Sequence, residues 1–216
     1  MKIRFIAGLL VAGALLSLLQ GCFTVVAAGV ATGAMASVDR RSLATQAEDE
    51  TIEWKASARI SEKFSEKVHV NYTSFNRKVL LTGEVPTAEA RVEVERLVGS
   101  IANVQGIYNE LAVASIASFT ARSNDAYVTS KVKGRFIDIG KFNPIRVKVT
   151  TEAGVVYLMG LVTAAEAESA VWVARTTAGV QKVVKVMEIV TDAKARELDN
   201  EAPSKPEQPT TPGPRG

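Results

Sequence analysis

Two stretches decide the fold: VNYTSFNRKVLLTGEVPTAEA at 70–90 and VKVTTEAGVVYLMGLVTAAEA at 147–167. Set against each other at an offset of 77, they share Val70/Val147, Thr73/Thr150, Val79/Val156, Leu81/Leu158, Gly83/Gly160, Val85/Val162, Glu89/Glu166 and Ala90/Ala167. One residue is then lost from the second copy, and Val104-Gln105 matches Val180-Gln181 at an offset of 76. Identity that runs through strand-like and helix-like patterns together marks an internal duplication. The chain is read as two homologous modules, 52–115 and 123–191, joined by a linker at 116–122.

Each module has the same order of elements. Ile52, Ala56, Ile60 and Phe64 recur every four residues, as do Val128, Val132 and Phe136, with Ile139 following. That spacing gives a helix with one apolar stripe. Alternation then predicts two strands and a tight turn, 68–74 and 78–85 around Phe75-Asn76-Arg77, and 145–151 and 155–162 around Ala153-Gly154. A second helix follows at 87–101 and 164–178, opened in the second copy by the capping box Thr163-Ala164-Ala165-Glu166. A last strand is expected at 106–113 and 182–190. The order αββαβ gives an α+β fold, with two helices on one face of a three-stranded sheet.

The ends are different material. Lys2 and Arg4 precede an apolar run from Phe5 to Leu19, followed by Gln20, Gly21 and Cys22, the chain's single cysteine. A positive start, an apolar core and a small residue before the cut describe a secretory signal over 1–21. Two alternatives stand beside it: a free cysteine buried in an ordinary helix, and a retained membrane span through Val38. The Gly-, Ala- and Thr-rich 23–38 argues against the span, and residues 22–51 are read as a tether and linker. Residues 199–216 hold five of the seven prolines, and 192–216 is read as a disordered tail. The formal charge of +3 falls to near +1 without Lys2 and Arg4, so there is no global nucleic-acid footprint.

These features together resemble a known family. Helix, hairpin with a glycine closing its second strand, helix and final strand are the pattern of the BON domain, with Gly83 and Gly160 as the structural glycines. The whole chain is similar to the dual-BON-domain outer-membrane lipoproteins of the DolP type. The residues that carry this are LLQGC at 18–22, RSLATQ at 41–46, KVLLTG at 78–83, YNE at 108–110, SND at 123–125 and KVTTEAGVVYLMGLVT at 148–163. The proline-rich tail lies outside the pattern. The resemblance implies that Cys22 is diacylated after cleavage, and that the protein faces the periplasm from the outer membrane. It also implies that the protein binds anionic phospholipid through its second module and supports envelope integrity.

Little points to an enzyme. His69 is the only histidine and reads as a surface residue at a strand edge, and no nucleophile elbow, P-loop or dinucleotide-binding glycine pattern is present. No cofactor or metal centre is expected. The surface candidate is the helix in SNDAYVTSKVKGRFIDIGKFNP, 123–144, capped by Ser123 or Asn124. Tyr127, Lys131, Lys133, Gly134 and Ile137 fall off its apolar stripe, Ile137 by about 145° at 100° per residue. Arg135 lies nearer the stripe and can snorkel outward, and Phe142 follows the helix. Tyr and Ile beside lysines suit an anionic bilayer surface. A basic helix that is merely solvated, or packed on module one, is the plainer reading. The first module's helix mixes Glu53, Glu62 and Glu66 with Lys55, Arg59, Lys63 and Lys67, and has no net pull on lipid. A different class of function, an adaptor for an outer-membrane assembly or cell-wall machine, would use an exposed sheet edge.

Overall fold

A computed structural model of the chain describes residues 39–201. Cys22 and the residues after 201 lie outside it. Module one is built from α1 (Leu43–Phe64), β1 (His69–Phe75), β2 (Lys78–Val85), α2 (Ala88–Gly99), β3 (Gly106–Asn109) and β4 (Ala112–Val113). Module two repeats this as α3 (Phe119–Ile139), β5 (Val147–Glu152), β6 (Val155–Val162), α4 (Ala164–Arg175), β7 (Lys182–Lys185) and β8 (Glu188–Ile189). A final helix, α5, spans Asp192–Glu201.

In each sheet the middle strand pairs antiparallel with its hairpin partner and parallel with the last strand. That last strand is interrupted once, at 110–111 and at 186–187, and resumes in the same register. Each sheet is therefore three positions wide, and α+β tandem modules are the architecture.

Alternate residues of the strands face two different cores. Val79 and Leu81 join Ile52, Ala56 and Ile60 of α1 and Val94 and Val98 of α2. Val156 and Leu158 join Val128, Val132 and Phe136 of α3 and Val173 of α4. The residues between them point the other way and make a third core that crosses the modules: Phe75 and Leu80 against Tyr157, Met159, Leu161 and Val186. The sheets thus pack back to back with helices outside, in four layers. Burying both faces explains why β6 is apolar throughout and why only Lys78, Thr82 and Glu84 interrupt β2. Each large side chain in the shared layer contributes roughly 1.5–3 kcal/mol of burial.

Several element boundaries differ from the periodicity reading. Both long helices start earlier than 52 and 123: Ser42 caps α1 through Thr45 N, and Ser118 caps α3 through Ala121 N. Ser123 and Asn124 lie inside α3. Apolar periodicity begins only where a helix meets its sheet, so the solvated first turns carried no such signal. The lost residue in the second copy also falls elsewhere. The caps Thr87 and Thr163 are equivalent at an offset of 76, so the extra residue is Pro86, before the helix. Val94 and Val98 then match the buried Ala170 and Ala174, and the Glu89/Glu166 and Ala90/Ala167 identities are coincidental.

The expectation of a disordered 192–216 is corrected for its first ten residues. Ala195 is buried, Leu198 packs against the shared core, and Asp199 meets Arg40 and Arg146 at 2.9 and 3.0 Å. Polar composition hid this helix, because its contacts are mostly ionic. The segment before α1 is likewise docked. Arg40, its side chain only 3% exposed, bonds Glu166 at 2.6 Å and the Leu161 carbonyl at 3.1 Å.

Candidate functional site: the outer face of the second module

A buried aspartate sets how each long helix meets its hairpin. Asp125 accepts the amides of Ala153 and Gly154, both at 2.9 Å. Asp49, its counterpart, accepts those of Asn76 and Arg77 at 2.8 Å, plus the Ser74 hydroxyl at 2.7 Å. Asn76, Arg77, Ala153 and Gly154 all have positive φ, the mark of a tight two-residue hairpin loop whose amides turn toward the helix. These acids are not the solvated carboxylates that composition implied.

With α3 fixed this way, its outer face carries Tyr127 (63% exposed), Lys133 and Ile137 (68% exposed). Nothing lies within 4 Å of where a Cβ on Gly134 would sit, so the helix backbone there is open. The Lys131 ammonium lies 4.6 Å from the Tyr127 ring centroid and also donates to the Ala178 carbonyl in the turn after α4. Trp172 of α4, 55% exposed, extends the strip, with the Arg135 guanidinium 5.9 Å from its ring. Nothing in the capping box that marks this helix in the sequence points to Trp172; only the packing of α3 beside α4 brings it to the strip.

Two expected members behave differently. Phe142 is 8% exposed and packs edge to face on Phe136, with centroids 4.9 Å apart. Gly140, at φ 61°, ends α3 and turns the chain back, which swings Phe142 into the core rather than outward. Phe142 is therefore not a surface residue. Arg135 donates to the Val173 carbonyl at 2.9 Å and the Thr177 hydroxyl at 2.8 Å. Its counterpart Arg59 does the same in module one, to Leu97 and Ser100 at 3.1 and 2.7 Å. That guanidinium ties the two helices of a module together in both copies. What sets module two apart is Tyr127, Lys133, Gly134, Ile137 and Trp172, where module one has Thr51, Ser57, Ala58, Ser61 and Arg96.

The structural glycines sit where backbones nearly touch. A Cβ on Gly83 would lie 2.1 Å from the His69 carbonyl oxygen, and one on Gly160 would lie 2.4 Å from that of Arg146. His69 is less exposed than a strand-edge residue would be, and its Nδ1 lies 3.0 Å from Glu84 Oε2. Among the described residues, no helix is long and apolar enough to cross a membrane.

The BON domain family model matches residues 48–115 and 124–191, the two structural repeats. The chain belongs to the DolP-type family of dual-BON-domain outer-membrane lipoproteins. It is 36% identical over 170 residues to the outer membrane lipoprotein DolP of Haemophilus influenzae, covering 78% of this chain and 88% of that protein. It is 34% identical over 155 residues to a 21 kDa hemolysin of Actinobacillus pleuropneumoniae, covering 71% of this chain and 80% of the relative. Both alignments are longer than either repeat, so family membership rests on the pair of domains rather than on one.

Proposed function

We propose that this lipoprotein is non-enzymatic, faces the periplasm from its acylated Cys22 anchor, binds anionic phospholipid through the outer face of α3 and supports envelope integrity. The observation that carries this reading is the strip Tyr127–Lys131–Gly134–Ile137 with Trp172 beside it. Large apolar groups stand exposed among cations there, whereas the equivalent face of module one carries one exposed aromatic, Trp54, with Thr51, Ala58 and Ser61 in place of Tyr127, Gly134 and Ile137. Aromatic rings suit the headgroup level, and each lysine near an anionic surface is worth roughly 1 kcal/mol. An anchor and a weak surface act together: the anchor raises the local concentration of the face, so modest contacts suffice.

The test is flotation with phosphatidylglycerol-containing vesicles. The pair Tyr127→Glu and Ile137→Glu is expected to abolish capture while leaving the circular dichroism spectrum intact. Lys133→Ala is expected to weaken capture about fivefold, an effect that fades with added salt. Unaltered capture by the double variant would remove α3 from the proposal.

A second reading, an adaptor for outer-membrane assembly proteins, is favoured by Tyr108 and Val113, exposed on the outer strand of module one. Retention of a single protein partner by a form that no longer binds vesicles would select it.

A further inference from the structure

The back-to-back packing does one thing that neither module does alone. His69 of β1 and Glu84 of β2 are directly opposed across the hairpin register. Glu152, the last residue of β5, reaches them from module two, and ligand atoms of all three lie within 4.8 Å of one another. Glu84 and Glu152 are 6% and 7% exposed. Among the described residues neither has a lysine or arginine ion-pair partner, and Glu84 pairs with His69 alone. Two buried carboxylates therefore share at most one positive charge. Isolated buried charge of this kind is costly unless a cation meets it.

The geometry points to a divalent transition-metal site of the Zn²⁺ class at the junction of the modules, with His69, Glu84 and Glu152 as protein ligands. One imidazole with two carboxylates is a suitable donor set, and three protein ligands with a fourth position left to water is a common zinc arrangement. Ligands around such an ion stand about 3.3 Å apart, so the widest present gap must close by about 1.5 Å, within reach of glutamate side-chain rotation. The carboxylates are already oriented. Asn71 Nδ2 donates to Glu152 Oε2 at 2.7 Å, and the Ala117 amide donates to Glu84 Oε2 at 3.2 Å. Supporting bonds of this kind are what hold metal ligands in place. A cavity of about 430 Å³, lined by His69, Asn71, Thr150 and Glu152 among others, reaches two of the three ligands.

The site exists on one side only. The positions equivalent to His69, Glu84 and Glu152 are Arg146, Leu161 and Phe75, and Arg146 is already paired with Glu166 and Asp199. A bound ion would bolt β1 and β2 of module one to β5 of module two.

The test uses the full chain without an affinity tag, titrated with Zn²⁺ by calorimetry. One equivalent is expected to bind. The ring signals of His69, the chain's only histidine, are expected to move in proportion in proton NMR. His69→Gln and Glu152→Gln are each expected to lower affinity at least tenfold, and Asn71→Ala, which leaves every ligand in place, by tenfold or more. Absence of saturable binding would overturn the site. So would one-equivalent binding that leaves the His69 signals unmoved, or that persists unchanged in both ligand variants. The native-chain NMR arm stands even if a variant folds poorly.

Discussion

Thr73 and Thr150 are equivalent residues of the two modules, and their hydroxyl oxygens meet at 3.2 Å across the sheet interface. A contact between a residue and its own counterpart occurs only on a symmetry axis, so the modules are related by an approximate two-fold through this pair. The flanking contacts agree. Asn71 reaches Glu152 on one side, while Lys148, the counterpart of Asn71, reaches the Ser74 carbonyl and Glu53 on the other. The duplicated halves meet as an isologous dimer would, with the chain closing the pair.

Asp125 is expected to be a stability determinant of module two. Asp125→Ala removes two charge-assisted bonds to the hairpin amides of Ala153 and Gly154, and should cost about 3 kcal/mol in urea or thermal unfolding. Asp49→Ala should cost more, because Asp49 also holds the Ser74 hydroxyl and pairs with Arg41 at 2.7 Å. A loss below about 1 kcal/mol in both would show that the hairpins hold their turns unaided.

Two glycines should respond in opposite directions. Gly83 has φ 110° and would place a Cβ 2.1 Å from backbone oxygen, so Gly83→Ala should destabilise by about 3 kcal/mol or more. Gly134 sits mid-helix over open space, so Gly134→Ala should stabilise by about 0.5–1 kcal/mol. Melting temperatures of the two variants check both signs at once.

Acid stability should depend on Glu166. Burial disfavours its charge, but hydrogen bonds from Arg40, the Thr163 amide and Arg146 outweigh this and hold its carboxyl below the ordinary 4.5. A carboxyl depressed on folding stabilises the protein above its unfolded pKa, and that stabilisation is lost as pH falls through the folded value. Unfolding free energy should therefore decline below about pH 4.5, and Glu166→Gln should flatten that decline while lowering stability at pH 7. A decline of the same steepness in the variant would assign the acid sensitivity to other carboxyls.

Much of this architecture is legible in the chain itself. The repeat at 70–90 and 147–167 carries the hairpins, because alternation and a closing glycine are local signals. The stripes at Ile52 and Val128 carry the helices for the same reason. What the sequence hid is relational. Asp49 and Asp125 look like any polar residue early in a helix, and only the folded hairpin shows that they hold turn amides. Phe142 looks like an exposed neighbour of the lipid face until the left-handed Gly140 turns it inward. Arg135 looks basic and free, yet the same bond at Arg59 marks it as a tie between helices. His69 and Glu152 stand far apart in the chain, and no spacing rule links a hairpin of one module to the strand end of another.

The docking of Arg40 against Glu166 and Asp199 also sets a leash. If Cys22 is the acylated residue, Asp39 follows it by seventeen positions, and a fully extended chain covers at most about 3.6 Å per residue. The folded body can then stray no more than about 60 Å from its membrane. Cutting the Arg40 clip would lengthen that radius and also remove one of the two guanidinium partners of Glu166.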